Sequence, residues 1–128
     1  MDWRLPISVK GVLIEDAAVV LLENDRDEWE LPGGRLEQGE TPEACVTREF
    51  KEELAATVRA GRILDTWVFE PLPGRFVFIV TYVVVRAEVG PLAISTEHRR
   101  MRWWPLRELS AARMPAGYRR SIELGTAT

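Results

Sequence analysis

Apolar and polar positions change period several times along the chain, and each change marks an element. Residues 7–14 and 17–22 are β-branched and apolar runs separated by Glu15-Asp16. They predict two strands joined by a tight turn, a hairpin that opens the fold. Residues 24–30 turn polar and acidic around Trp29, and Leu31-Pro32-Gly33-Gly34 follows. Proline blocks helix there and the glycines admit unusual backbone angles, so a shaped loop is expected. Thr41 then offers a capping hydroxyl and Pro42 suits a first helical position, ahead of a stretch over 43–54 free of Gly and Pro. That stretch reads as helix. Residues 62–70 and 76–86 read as strands on either side of Pro71-Leu72-Pro73-Gly74, and the second is apolar on both faces, as a covered central strand is. Beyond them, 99–104 is expected as a strand, 105–112 as a short helix and 117–124 as a terminal helix. The order predicts a mixed α/β class. No linker, repeat or low-complexity segment divides 1–128, so one domain is expected.

Composition narrows the partners. The chain has 128 residues, 46% hydrophobic and 29% charged, the balance of a globular domain with one core. Lys and Arg number 17 against 20 Asp and Glu, giving −3 and a pI near 5.3, which argues against nucleic acid or an acidic membrane surface as partner. The longest apolar run, over 76–85, is half of the roughly 20 residues that a membrane helix needs. The N-terminus lacks a basic start followed by an apolar stretch, so a cytoplasmic location is expected. The lone Cys45 excludes an internal disulfide and a cysteine-based zinc cage, and is read as incidental.

The acid is not spread evenly. At about 100° per residue, Glu49, Glu52 and Glu53 fall on one face of the 43–54 helix, beside an apolar stripe of Val46, Phe50 and Leu54. Like charges four apart cost a helix roughly 0.2 to 0.5 kcal/mol per pair. A solvated acidic face is one answer to that repulsion. Arg48 can pair with one carboxylate but not neutralise three, whereas Mg2+ takes carboxylate oxygens and substrate phosphates together, and is the favoured answer.

The stretch over 34–56 resembles the signature box of the Nudix hydrolases, G-x5-E-x7-R-E-U-x-E-E-x-G-U. Gly34, Glu40, Arg48, Glu49, Phe50, Glu52 and Glu53 stand at its required positions, while Ala55 and Ala56 replace the closing Gly and bulky residue. Six fixed identities meeting by chance along such a chain has odds on the order of 10⁻⁴, so coincidence is set aside. Trp29 to Gly34 resembles the family's lead-in, and Arg102-Trp103 with 105–109 a common later segment. The resemblance implies a Nudix-like α/β/α sandwich with a mixed central sheet, the box forming loop, helix and loop. It implies hydrolysis of the pyrophosphate bond in a nucleoside diphosphate linked to another group, with Mg2+ or Mn2+. By the same resemblance Gly33 (through its carbonyl), Glu49, Glu52 and Glu53 are the metal ligands, Arg48 orients Glu49, and Glu40 fixes the loop-helix geometry. The catalytic set is then Glu52, Glu53 and Arg48 with Glu97, which resembles a later-loop acid of some members; the general base is either a box glutamate or Glu97. His98 is expected as an exposed loop histidine.

Substrate contacts are read more broadly. Arg26 and Arg35 flank the loop as phosphate donors. Phe76 and Phe78, with Trp3, Trp67 and Trp104, are stacking candidates against the commoner reading of core aromatics. The arginines at 99, 100 and 102 are expected on an outward strand face. Pro71, 15 positions beyond Ala56, resembles a hint for ADP-ribose, so ADP-ribose or a nucleotide sugar is slightly preferred to a (d)NTP. A non-catalytic nucleotide sensor is the rival class. Dimers are common in the family, so a homodimer is the expectation.

Overall fold

A computed structural model of the chain describes residues 1–95 and 98–127. Strands β1 (Ile7–Glu15) and β2 (Ala18–Glu23) form the expected hairpin. Its turn residues Asp16 and Ala17 both sit in the left-handed region, at φ 51° and 59°, the twist that suits a two-residue connection between strands. Two short strands follow, β3 (Trp29–Glu30) and β4 (Gly33–Arg35), where the sequence predicts only a loop. Strands of two and three residues leave no alternation to read. Helix α1 spans Pro42–Leu54. Strands β5 (Val58–Leu72) and β6 (Arg75–Arg86) form the next hairpin. Then come β7 (Arg100–Pro105), a 3-10 turn over Leu106–Ala111 where a short helix is expected, and α2 (Ala116–Thr126).

Among the described residues the strands make one seven-stranded sheet in the order β3-β2-β1-β6-β5, with β4 also paired to β1 and β7 to β2. β1 and β6 run parallel, from Ile7 opposite Phe78 to Leu13 opposite Val84, and the other pairs are antiparallel. The sheet is therefore mixed. β5 begins at Val58 rather than the expected 62 because register shifts between Ala60 and Asp65 interrupt its alternation.

Side chains alternate across β1 and divide the core in two. Val9 and Leu13 join Val46, Phe50 and Leu54 of α1; Val12 joins Tyr118 and Ile122 of α2. The result is an α/β/α sandwich. Gly11 sits between those layers because a Cβ there would stand 2.5 Å from the Phe50 ring, so a side chain would push α1 off the sheet. No described helix is long and apolar enough to cross a membrane.

Both ends of α1 have identifiable causes. The Thr41 hydroxyl accepts from the Ala44 N–H at 3.1 Å and Pro42 opens the first turn. At the other end Ala55 adopts φ 54°, ψ 31° and its N–H reaches the Lys51 carbonyl at 3.1 Å. The box calls for glycine at this position, and alanine carries a Cβ penalty in that conformation. Ala55→Gly is expected to stabilise the fold by about 1 kcal/mol, read as a higher denaturant midpoint with an unchanged slope.

Candidate active site

The segment before α1 is held against its first turns by one arginine. Arg48 donates from Nε to Glu40 Oε2 at 2.7 Å and from Nη2 to Glu40 Oε1 at 3.0 Å, a two-point grip. Its Nη2 also reaches the Arg35 carbonyl at 3.1 Å, and its Nη1 donates to Glu49 at 2.9 Å and Glu52 at 3.2 Å. Glu40 in turn accepts from the Glu37 N–H at 3.0 Å, which closes the turn before the helix. The bonds from Arg48 and Glu37 hold the Glu40 carboxyl down at about 2.

Along α1 the three carboxylates differ sharply in environment. The Glu52 side chain is 59% exposed, Glu49 14% and Glu53 only 4%. Glu49 lies on Gly34, where a Cβ would come within 2.6 Å of its carboxylate. Glu53 turns inward and accepts from the Gly33 N–H at 2.7 Å. Burial pushes the Glu53 carboxyl up to about 7, against the pull of Lys10, the Gly33 N–H and His98. Gly33 itself sits at φ +143°, and a Cβ there would run into the Val9 carbonyl, so only glycine places this peptide beside Glu53.

A cavity of about 320 Å³ opens at Glu53 and Gly33 and is lined further by Asn24, Asp25, Arg26, Glu30 and His98. Asn24 shapes the turn at its rim: its Oδ1 accepts from the N–H groups of Arg26 at 2.8 Å and Glu28 at 3.1 Å. Glu30 bonds to Asn24 Nδ2 at 3.3 Å and His98 Nε2 at 3.0 Å. Burial opposes the charge on Glu30, but Lys10, His98 and Asn24 hold its carboxyl at about 2. His98 is a correction to the sequence reading. Its side chain is only 9% exposed, with Nε2 3.0 Å from Glu30 and 3.5 Å from Glu53, because Glu30 and Glu53 draw it inward. Those bonds also raise its pKa, the Glu30 hydrogen bond most.

The other predicted site residues scatter. Arg26 lines the cavity; Arg35, Phe76 and Phe78 do not. Phe76 stacks edge-on with Trp3, and Phe78 packs beneath α1. Trp67 and Trp104 belong to the core beside α2. Arg99 and Arg100 pair with Asp27 at 2.8 Å and Glu23 at 2.7 Å, and Arg102 lies 3.9 Å over the Trp104 ring. Glu97 falls outside the described residues. Cys45 is buried under the loop, its Sγ 3.6 Å from the Gly34 carbonyl. Burial and Glu40 push its thiol up to about 12, so native protein at pH 8 is expected to resist a thiol reagent that labels Cys45 fully once denatured.

The sequence reading missed Lys10 and Glu30. Glu30 stands in a two-residue strand, too short for any pattern. Lys10 left a trace: with Ser8 it breaks the apolar run of β1 at alternate positions, the mark of polar groups on one sheet face.

The NUDIX domain family model matches residues 4–124. The chain belongs to that family. Over 56 residues it is 41% identical to the 8-oxo-dGTP diphosphatase of Proteus vulgaris, covering 44% of this chain and 49% of that protein. Over 82 residues it is 32% identical to the RNA pyrophosphohydrolase of Vibrio atlanticus (strain LGP32), covering 62% and 41%. The chain thus spans about half or less of the length of these curated relatives. Among solved structures, the MutT protein from Methanosarcina mazei Go1 superposes with a TM-score of 0.78 at 28% identity over 95% of this chain and 92% of that one. The NUDIX fold accounts for the α/β/α layers and for the box as loop, helix and loop.

The donors present suit a hard divalent cation. Glu49, Glu52, Glu53 and the Gly33 carbonyl are all oxygens, the set that Mg2+ takes, and Gly34 leaves room for the Glu49 carboxylate. Among the described residues no three such side chains already form a closed cage. Arg48 holds Glu49 and Glu52, while Glu53 is held by Gly33.

Proposed function

We propose that this NUDIX domain, read over 1–128, hydrolyses a pyrophosphate bond in a nucleoside triphosphate with Mg2+, Mn2+ substituting. The observation that carries the reading is the convergence of Glu53, 4% exposed, and the Gly33 peptide on the floor of a polar cavity, with Glu49 and Glu52 on the same helix face. Glu49, Glu52, Glu53 and the Gly33 carbonyl would hold the metal. Bound there, it would neutralise phosphate oxygens and acidify a water. Arg48 keeps the helix carboxylates in place, Arg26 faces the phosphates from the cavity rim, and the general base is a box glutamate or Glu97. Arg35, Phe76 and Phe78 are not carried into the reading, because they stand away from the cavity.

The choice of a triphosphate over ADP-ribose rests on relatives. The 8-oxo-dGTP diphosphatase shares the stretch of highest identity quoted above. Pro71 belongs to the end of β5, next to the turn into β6, and does not line the cavity. A panel with phosphate-coupled detection tests this, using dGTP, 8-oxo-dGTP, ADP-ribose, a UDP-sugar and 5′-triphosphate RNA. Turnover of triphosphates at least about tenfold above ADP-ribose in kcat/KM is expected, a preference of about 1.4 kcal/mol. Faster hydrolysis of ADP-ribose would overturn the substrate class, and no turnover of any would favour a nucleotide sensor.

A further inference from the structure

One buried cation has no part in the chemistry just described. Lys10 lies on the α2 side of β1, 8% exposed, directly opposite Gly33 in the β1–β4 ladder. Its Nζ points to the Gly33 carbonyl at 3.5 Å and stands 5.8 Å from the centre of the Tyr118 ring. Gly33 is therefore gripped through both of its flanking peptides: its N–H donates to Glu53 at 2.7 Å and its carbonyl faces Lys10. Burial alone would discharge a lysine, but the carboxylates of Glu30, Glu53 and Glu49 oppose that penalty and hold the ammonium charged.

We propose that Lys10 is the resident counter-cation of the carboxylate site, a positioning residue that aims the Gly33 carbonyl and weakens capture of a free divalent ion. The inference rests on the metal reading above. Two carboxylates as buried as Glu30 and Glu53 need a positive neighbour when no metal is bound, and Lys10 supplies one from beneath the floor. The same charge repels an incoming cation across the carbonyl they would share. Ion retention then depends on the extra negative charge of a polyphosphate arriving with it, and a folded metal-free protein stays available between turnovers.

This predicts a sign that a purely structural role would not produce. Removing Lys10 should tighten metal binding, whereas loosening the site would weaken it. Mn2+ affinity measured by electron paramagnetic resonance at pH 8, without nucleotide, is expected to rise roughly tenfold or more in Lys10→Met and stay near wild type in Lys10→Arg. Adding a methylene-bridged, non-hydrolysable nucleoside triphosphate should tighten Mn2+ less in Lys10→Met than in wild type. Because Lys10→Met leaves carboxylates uncompensated, the comparison is repeated in a Glu30→Gln background, where Lys10→Met should again tighten Mn2+. Folded variants that bind Mn2+ no more tightly than their Lys10 parents overturn the counter-cation role alone. A wild-type chain that binds no Mn2+ removes the metal reading and this inference with it.

Discussion

Glu53→Gln is expected to lower kcat on the order of 10³-fold while making the metal-free protein more stable at pH 8. Both effects come from the same burial. Residues that only support a metal ligand typically cost 10- to 100-fold when changed, and loss of a ligand itself costs more. The stability effect follows from the Glu53 carboxyl lying near 7 instead of its usual 4.5. A carboxyl raised in the folded state contributes stability that is complete below about 4.5 and is lost as pH rises through about 7. A shift of that size corresponds to about 3 kcal/mol, or roughly 10 °C for a domain of this length. In EDTA, the wild-type melting temperature should therefore fall between pH 5 and pH 8, and Glu53→Gln should remove most of that fall. The raised His98 adds a smaller decline of the same sign that persists in the variant, since Glu30 still holds its ring. Mg2+ should restore wild type at pH 8 and leave Glu53→Gln unmoved. A variant that loses stability at pH 8 along with activity would show Glu53 to be a structural carboxylate.

How much of this was legible in the sequence depends on how far each feature reaches along the chain. Helix α1 and its carboxylate face are local: Thr41, Pro42 and the spacing of Glu49, Glu52 and Glu53 lie within 13 residues of one another. The central place of β6 was legible too, because a strand covered on both faces has no polar alternation. The cavity was not. Its walls come from the β2–β3 turn, from β3 and from the segment before β7, and Glu30 meets His98 across 68 positions of sequence. A single histidine after a run of polar residues carries the local signature of an exposed loop. Only the fold brings two carboxylates to it. Lys10 was hidden for a related reason, since one lysine in an apolar strand reads as an edge or surface position until β4 is seen paired alongside it and Tyr118 of α2 beside its ammonium.

Arg48→Lys is expected to lower kcat by about 10- to 100-fold and to raise the Mg2+ concentration needed for half-maximal rate. The substitution keeps the charge, so its effect isolates geometry. Arg48 divides its donors among Glu40 at 2.7 and 3.0 Å, Glu49 at 2.9 Å, Glu52 at 3.2 Å and the Arg35 carbonyl at 3.1 Å. A lysine has three donors on one atom and cannot span the two oxygens of Glu40 while reaching the next turn of the helix. The segment from Arg35 to Glu40 would then lose the arginine's grip on α1, and Glu49 and Glu52 would lose the cation that sets their spacing. Such damage should appear as a weaker response to Mg2+, with the cavity and its nucleotide affinity changed little, so KM measured at saturating Mg2+ should stay within about threefold of wild type. An Arg48→Lys protein with wild-type kcat and Mg2+ dependence would mean that charge alone suffices at this position, and the fork of hydrogen bonds would then be a feature of the resting protein with no bearing on turnover.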